Sequence, residues 1–166
     1  MQGLLLFSRQ RPLERRDVDL NALVREVVAV APPGEASWIL DLAPSLPSVG
    51  ADPEQVIQVV RNLVRNGTQA MAGRPAPVGR IRTWVESDVV CCEVLDQGSG
   101  IAPDVLGRIF EPFFTTKAAG EGTGLGLSIS HGIVRAHGGE IRAQNRPEGG
   151  ARFWFELPRA TPSRPR

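Results

Sequence analysis

Three sets of residues in this sequence could do chemistry, and the first is a pair of asparagines. Asn62 and Asn66 are one helical turn apart, beside the apolar stripe of a predicted helix, so their side-chain amides share a face. Two neutral oxygen donors placed in this way could serve a hard cation that retains several waters and bridges to phosphates, as magnesium does. The alternative is that the pair forms a solvated polar edge of the helix.

The second set surrounds Asp96, the last residue of a predicted strand, VVCCEVLD. Glu93 marks the solvent-facing parity of this strand, which places Asp96 on the inward face together with Cys92 and Val94. A carboxylate there is costly without a hydrogen-bond donor, and the glycine turn DQGSGI that follows would let a ligand approach the backbone. The alternative is that Asp96 caps a helix predicted after Pro103.

The third set is the glycine-rich segment GEGTGLGLSIS, which leads into a helix predicted to begin near Leu125. Free backbone N–H groups and a helix N-terminus together could hold a phosphate group. The segment matches neither a P-loop, since no GK[ST] follows, nor the GxGxxG pattern of dinucleotide sites. A flexible linker is the alternative, although linkers rarely lead into amphipathic helices.

A loop with two aromatic residues, FEPFFTTK, precedes the glycine-rich segment. Exposed Phe113 and Phe114 in a mobile loop flanked by glycine predict a lid that packs transiently on a ligand or partner. Lys117 in this loop is the only lysine among the 19 basic residues of the chain. Its compact ammonium group suits a terminal phosphate.

Periodicity predicts the elements that must position these residues. One amphipathic helix begins after Asp19 and stops at Pro32, and a second runs from Asp52 to about Met71. A third, LGLSISHGIVRAH, ends at two glycines. The predicted strands are ASWILDL, GRIRTWVE, VVCCEVLD, EIRAQN and ARFWFEL. Their hairpin connections predict an α/β two-layer sandwich with a mixed, mainly antiparallel sheet and helices on one face.

Composition restricts the class of protein further. A chain of 166 residues with 42% hydrophobic residues can form one domain with a core. The net charge of +1, without a basic stripe, argues against a nucleic-acid partner. Neighbouring Cys91 and Cys92 fit a reducing compartment. No apolar run reaches the roughly 20 residues of a membrane span, and no signal peptide is apparent. We therefore expect this chain to be cytoplasmic, whether or not its parent protein is anchored in a membrane.

Taken together and in this order, these segments resemble the ATP-binding catalytic domain of sensor histidine kinases, in the superfamily of DNA gyrase, heat-shock chaperone and mismatch-repair ATPases. QVVRNLVRNGTQAM is similar to the family's asparagine box, DQGSGI to its first glycine box, FEPFFTTK to its phenylalanine box and GTGLGLSIS to its second glycine box. The last two are most similar to kinases of the nitrogen-regulation type. The resemblance implies a Bergerat-type ATP-binding fold over residues 18–158.

The resemblance also implies roles for individual residues. Asn66 would be the magnesium ligand, Asn62 would support it, and Asp96 would accept a hydrogen bond from the adenine amino group. Asn62 and Lys117 are the implied catalytic residues, with Thr116 and Lys117 on a lid that closes on the nucleotide. The implied nucleotide-binding residues are Asn66, Asp96, Gly98, Gly100, Ile101, Thr116, Lys117, Gly122, Thr123, Gly124, Leu125, Gly126 and Leu127.

Outside residues 18–158 and at two positions within them, the sequence raises further expectations. MQGLLLFSR is similar to the end of the dimerisation and phosphoacceptor helix, so residues 1–17 are assigned to that helix and a linker, and residues 159–166 to a disordered tail. Gly67 replaces an alanine usual in the family, which costs roughly 1 kcal/mol of helix propensity and would loosen the pocket floor. Arg152 replaces a usual threonine or serine. His131 and His137 are expected to be structural, and the acceptor histidine to lie on the absent upstream helix.

The function implied is transfer of the γ-phosphate of Mg-ATP to a histidine of the parent's dimerisation domain, and through the parent to a response regulator. The fragment is expected to be monomeric and the parent homodimeric. The alternatives are an ATPase of the gyrase or chaperone kind and a non-catalytic nucleotide sensor. Those ATPases carry a water-activating glutamate in place of Asn62, and an amide cannot act as that base.

Overall fold

The computed structural model describes residues 12–32, 34–120 and 122–161. A single turn of 3-10 helix lies at Leu106–Arg108. The remaining elements, in chain order, are β1 Arg16–Val18, α1 Leu20–Ala29, β2 Ser37–Asp41, β3 Val49–Ala51, α2 Pro53–Ala70, β4 Val78–Glu86, β5 Val89–Leu95, α3 Gly126–Ala136, β6 Glu140–Asn145 and β7 Ala151–Pro158.

The main sheet has five strands in the order β2-β4-β5-β7-β6. β2 pairs with β4 in parallel, and the other neighbours pair antiparallel. β1 and β3 form a separate antiparallel pair. α2 packs between α1 and α3 and contacts β5. The predicted two-layer α/β sandwich with a mixed, mainly antiparallel sheet is therefore confirmed.

The helices begin where their capping residues allow. The Asp19 side chain accepts from Ala22 N at the start of α1, and the Asp52 side chain accepts from Glu54 N at 3.1 Å at the start of α2. Pro53 occupies the first turn of α2, where its missing N–H costs nothing. The apolar stripe of α2 lies in the core: its buried members are Val56, Val59, Val60, Leu63 and Val64.

The central strand β5 confirms one part of the sequence prediction and corrects another. Val90, Cys92, Val94 and Asp96 all lie inward and are at most 2% exposed. Glu93, predicted to face solvent, lies on the opposite face, but its side chain is only 3% exposed. β4 and β7 flank this strand, and their long arginine side chains cover the carboxylate. Arg82 Nη1 lies 3.0 Å from Glu93 Oε1, and Arg152 Nε bonds Oε2.

Arg152 therefore has a structural explanation that the sequence did not supply. Its guanidinium pairs with Glu93 and lies 4.3 Å from the centre of the Trp154 ring. Together with Arg82, the arginine neutralises and shields a carboxylate whose side chain is only 3% exposed.

Both cysteines are free and buried in β5. Burial raises the pKa of Cys91 to about 11 and raises the pKa of Cys92 as well, because the thiolate form would lose its solvation. Both side chains therefore remain thiols at neutral pH and pack as small apolar residues, as the sequence predicts.

His137 joins the two helices that carry the candidate site. It is 2% exposed, its Nε2 accepts from Asp52 N at 3.0 Å, and its Nδ1 lies 2.7 Å from the Ile133 carbonyl oxygen. These partners place the ring proton on Nδ1. The predicted structural role of His137 is confirmed. His131 is exposed, with its ring 5.6 Å from that of Phe110, and its role stays a prediction.

The ends of the described chain are held to the domain. Arg15 Nη2 donates to the Ala136 carbonyl at 2.6 Å, and β1 begins at Arg16, so the proposed boundary at residue 18 falls inside a strand. Ala160 N donates to the Ser48 carbonyl at 2.8 Å. The predicted helix within residues 1–11, and residues 162–166 of the predicted tail, lie outside the described residues. Among the described residues, no helix is long and apolar enough to cross a membrane.

Candidate functional site

A cavity of about 770 Å³ lies between α2, the 96–101 loop and the segment that leads into α3. It brings together residues from all four sequence segments singled out above. The predicted site residues that line it are Asn62, Asn66, Asp96, Gly100, Ile101, Thr116, Lys117, Gly122, Thr123, Gly124, Gly126 and Leu127. Gly98 and Leu125 are not among the lining residues, but each is next to one.

Asp96 is held at the edge of β5 by backbone donors. It is 2% exposed, and its Oδ1 accepts from Gly98 N at 2.8 Å and from Ala151 N at 3.1 Å. It therefore does not cap a helix after Pro103. Burial raises the pKa of Asp96, and the two backbone donors oppose that rise. Because Oδ1 takes both backbone bonds, Oδ2 is left to accept from a ligand in the cavity.

Glycines are required where the 96–101 loop approaches its neighbours. A Cβ at Gly98 would lie 2.7 Å from the Ala70 carbonyl oxygen and 2.9 Å from Asp96 Oδ1. Gly100 has φ +79°, a conformation that residues with a Cβ rarely adopt. These glycines let the loop pass close to its neighbours beside Asp96, while their role in shaping an adenine pocket stays a prediction.

The α2 face of the cavity has more polar residues than the sequence reasoning identified. Asn62 Nδ2 donates to the Gly126 carbonyl at 3.0 Å and lies 3.2 Å from Ser130 Oγ, so this residue joins α2 to the start of α3. Arg65 and Gln69 also line the cavity. Both were missed, although their spacing from Asn62 and Asn66 places all four on one helix face.

Asn66 is the candidate metal ligand that the structure leaves available. It lines the cavity, and within the described residues its side chain makes no hydrogen bond. The described part of the chain also contains no cluster of three or more acidic, histidine or cysteine residues that could hold a metal alone. One neutral oxygen ligand suits a magnesium ion that keeps several waters and takes further ligands from phosphates.

We call residues 114–123 the lid segment, and the two residues that flank it are hydrogen-bonded to each other. Phe113 N donates to the Gly124 carbonyl at 2.9 Å, and both residues have positive φ, +64° and +66°. A Cβ at Gly124 would lie 2.5 Å from the Phe113 carbonyl carbon, so glycine is required there. Phe113 is 61% exposed, as predicted, whereas Phe114 is half-buried and lines the cavity. The prediction of exposure for Phe114 is corrected, since it packs against the core.

The segment after the lid presents backbone to the cavity. α3 begins at Gly126 without a side-chain hydrogen bond at its N-cap, Leu125, among the described residues. Its first N–H groups are therefore suited to an anion. Lys117, on the lid, has its Nζ bonded to Gln69 Oε1 on α2. The flexible-linker alternative is not supported, because the glycines line a cavity and start a helix.

Gly67 lies against a tryptophan, which explains its departure from alanine. A Cβ at this position would be 2.8 Å from Trp38 Cη2 and 3.5 Å from Asp96 Cβ. A Cβ at Gly79, on the neighbouring strand, would also collide with the Trp38 ring. The Trp38 indole thus fills the space left by Gly67 and Gly79. The packing at Gly67 is tight, which contradicts the prediction that this glycine loosens the pocket floor.

Comparison with known proteins connects this site to a family. Residues 51–161 match the family of histidine kinase-, DNA gyrase B- and HSP90-like ATPases. The signal transduction histidine-protein kinase AtoS of Escherichia coli strain K12 is 42% identical over 163 residues, which cover 95% of this chain and 26% of AtoS. The chain spans about a fifth to a third of the length of such curated relatives.

Solved structures agree with this match. The catalytic domain of histidine kinase ThkA is 33% identical with a TM-score of 0.78, covering 88% of this chain and 96% of that domain. Full-length ShkA in complex with AMPPNP is 30% identical with a TM-score of 0.78, and the match covers 92% of this chain and 33% of ShkA. ThkA in complex with the response regulator protein TrrA is 29% identical with a TM-score of 0.80, and the match covers 98% of this chain and 47% of that ThkA chain.

The chain belongs to the family of histidine kinase-, DNA gyrase B- and HSP90-like ATPases. Within that family it is the ATP-binding catalytic domain of a two-component sensor histidine kinase. The resemblance drawn from the four sequence boxes and the Bergerat-type fold are confirmed, whereas the nitrogen-regulation type and the individual site roles stay predictions.

Proposed function

We propose that this domain binds Mg-ATP in the cavity described above and presents the γ-phosphate to a histidine on the dimerisation domain of its parent kinase. The observation that carries this proposal is the convergence of Asp96, Asn66 and the uncapped start of α3 on one cavity. In this proposal the three groups serve as the base acceptor, the metal ligand and the phosphate site along one nucleotide-sized space.

In this proposal, adenine lies against the 96–101 loop. The free oxygen of Asp96 accepts the amino group of the base, and Gly98, Gly100 and Ile101 form the adjoining wall. Backbone N–H donors of this loop cannot replace Asp96, because an amino group requires an acceptor. Guanine carries a carbonyl in place of that amino group, so guanine nucleotides should bind poorly.

The phosphates lie at the other end of the proposed site. Gly122, Thr123, Gly124, Leu125, Gly126 and Leu127 supply backbone near them, while Thr116 and Lys117 approach from the lid. Magnesium, held by Asn66 and the phosphates, would neutralise charge on the transferring phosphoryl group. The described residues contribute binding and orientation, which is the main requirement of phosphoryl transfer.

Asn62 decides between phosphotransfer and hydrolysis. Its amide nitrogen is engaged with Gly126 and Ser130, and an amide cannot remove a proton from water. Asp96 is the one carboxylate among the described residues that line the cavity, and it is bonded to backbone. We infer that Asn62 positions the start of α3 and that water is not activated here, which disfavours the ATPase alternative.

The parent supplies the remaining partners in this proposal. ATP and ADP bind the domain, the dimerisation and phosphoacceptor domain receives the phosphate, and a response regulator takes it from there. The ThkA complex with TrrA shows such a partner for a relative. We propose a monomeric domain, a homodimeric parent and a cytoplasmic location for the catalytic part, with Mg²⁺ as the metal.

Transfer to a separately supplied dimerisation domain tests the proposal. With γ-labelled ATP and magnesium, label should enter that domain as an acid-labile, base-stable product characteristic of phosphohistidine. Transfer should be weak because the covalent link that gave a high effective concentration is missing. The control is the Asn66→Ala variant, which should transfer no label. ATP binding without transfer in any such mixture would instead support a non-catalytic nucleotide sensor.

A further inference from the structure

The β6–β7 hairpin holds one end of the 96–101 loop through a side-chain amide. Asn145 Oδ1 accepts from Ile101 N at 2.7 Å, and Asn145 Nδ2 donates to the Ile101 carbonyl at 2.6 Å. One side chain thereby satisfies both backbone groups of a residue 44 positions away, as a strand partner would. The contact requires a donor and an acceptor on one planar group, which an amide provides.

The loop itself is adapted to this contact. Gly100, immediately before Ile101, has φ +79°, and a Cβ there would lie 2.8 Å from Asn145 Oδ1. Any other residue would push the amide away from the Ile101 backbone. The second glycine of the DQGSGI segment therefore makes room for Asn145 as well as for a ligand.

The other end of the loop is held by the same hairpin. Arg146 Nη1 donates to the Asp96 carbonyl at 2.6 Å, and Asp96 N donates to the Ala151 carbonyl at 3.0 Å. Gly150, with φ +85°, permits this close backbone approach. Four residues, 97–100, lie between the two held ends, and two of them are glycines. Without fixed ends, such a segment would sample many conformations.

We propose that Asn145 is a positioning residue for adenine recognition, which fixes the 96–101 loop in its binding conformation before the nucleotide arrives. This inference rests on the function proposed above. Asn145 is not among the residues that line the cavity, so it acts through Ile101 and Gly100 rather than by touching the ligand. A loop that is already ordered avoids the entropy cost of ordering on binding and so raises affinity.

Two substitutions and a control test this role. Asn145→Ala removes both hydrogen bonds, whereas Asn145→Asp keeps the size and one acceptor but places a carboxylate oxygen against the Ile101 carbonyl. Gln144→Ala is the matched control, because Gln144 is the adjacent exposed residue of β6 and its side chain makes no hydrogen bond within the described residues. Calorimetry would measure Mg-ADP affinity, thermal unfolding would measure stability, and NMR would follow exchange of the Ile101 amide hydrogen.

Asn145→Ala should weaken Mg-ADP about tenfold, the effect of one or two modest hydrogen bonds. Asn145→Asp should weaken it at least as much, and both should speed exchange at Ile101 while Gln144→Ala changes neither. Wild-type affinity in the Asp variant would overturn the inference, because bulk alone would then suffice. Unprotected exchange at Ile101 in the free wild-type domain would also overturn it, without needing any variant. Failure of the wild type to bind Mg-ADP would refute the proposed function instead.

Discussion

At the scale of single residues, the most informative group of the candidate site is a buried carboxylate. Asp96 is almost fully buried, and its two hydrogen bonds use backbone N–H groups that could equally be satisfied by a neutral acceptor. Burial raises its pKa above the ordinary value of 3.8. The charge therefore opposes folding, which is typical of a functional carboxylate rather than a structural one.

The Asp96→Asn variant should separate function from stability. Loss of a charge-assisted hydrogen bond to adenine should weaken Mg-ADP by about 1–3 kcal/mol, measured by calorimetry. The folded protein binds the Asp96 proton more tightly than the unfolded chain, so ionisation of Asp96 lowers stability as pH rises above 3.8. The variant should thus be at least as stable as the wild type at pH 7, with a difference that shrinks towards pH 3.8. Unchanged ADP affinity in the variant would remove Asp96 from the site.

Gly67 shows how a helix residue can be chosen by its neighbour. Gly67→Ala gains roughly 1 kcal/mol of helix propensity but places a Cβ 2.8 Å from Trp38 Cη2. The ring has little room to move, since it also packs against Gly79, where a Cβ would lie 2.3 Å from Trp38 Cζ3. We expect the single variant to be no more stable than the wild type, and Gly67→Ala to become stabilising in a Trp38→Leu background. Urea unfolding of the four proteins in a double-mutant cycle would measure the coupling, and additive effects would contradict the packing argument.

At the scale of elements, a hydrogen bond from Phe113 N to the Gly124 carbonyl joins the two residues that flank the lid segment. The lid is therefore a loop with a closed base. Among residues 115–120, 122 and 123, all but Gly122 are exposed, and none belongs to the hydrophobic core cluster. Such a segment opens at low free energy unless a ligand holds it. The same segment carries Thr116 and Lys117, so binding and ordering should occur together.

A lysine-specific protease can test lid ordering at a single bond, because Lys117 is the only lysine in the chain. Cleavage after Lys117 should be fast in the free domain and at least several-fold slower with magnesium and a non-hydrolysable ATP analogue. GTP analogues should protect poorly and serve as the control for nonspecific effects. Equal cleavage rates with and without the ATP analogue would show that residues 114–123 are not the lid.

At the scale of the whole molecule, α2 is hydrogen-bonded to both ends of α3. Asn62 bonds the start of α3 near the cavity, and His137 bonds the N-cap of α2 at the far end. The segment before β1 contacts the C-terminal end of α3, where Arg15 Nη2 donates to the Ala136 carbonyl. The two helices that carry the proposed metal and phosphate sites therefore form one unit with the start of the domain.

The isolated domain should bind ATP yet neither phosphorylate itself nor hydrolyse it appreciably. His137 is buried with both ring nitrogens engaged, and α3, which carries His131, is fixed by its contacts with α2. Neither imidazole can therefore align with the γ-phosphate. Incubation with γ-labelled ATP should leave the chain unlabelled and release little phosphate. Strong labelling that survives His131→Ala combined with His137→Ala would overturn the proposed mechanism.

The sequence alone predicted the three helices, the five strands of the main sheet, the fold class and the family, but not the short strands β1 and β3. The bounds of α2, the central β4–β5 hairpin and α3 were predicted closely. The signals that predict them, hydrophobic periodicity, the Asp52 cap and the boundary glycines, depend only on residues nearby in sequence. The four boxes were recognisable because backbone approach and helix-face spacing are local requirements. The resemblance of these boxes to the family then implied that Asn62, Asn66, Asp96 and the glycines after the lid share a site.

Tertiary structure decided the features that depend on residues far apart in sequence. Glu93 is buried because arginines of two flanking strands cover it, and strand alternation carries no information about such neighbours. Gly67 packs against Trp38, and Asn145 holds Ile101 across 44 positions, contacts that arise only once the strands are ordered in the sheet. Local patterns specify which face a residue occupies, whereas the chain's long-range pairing determines what lies against that face.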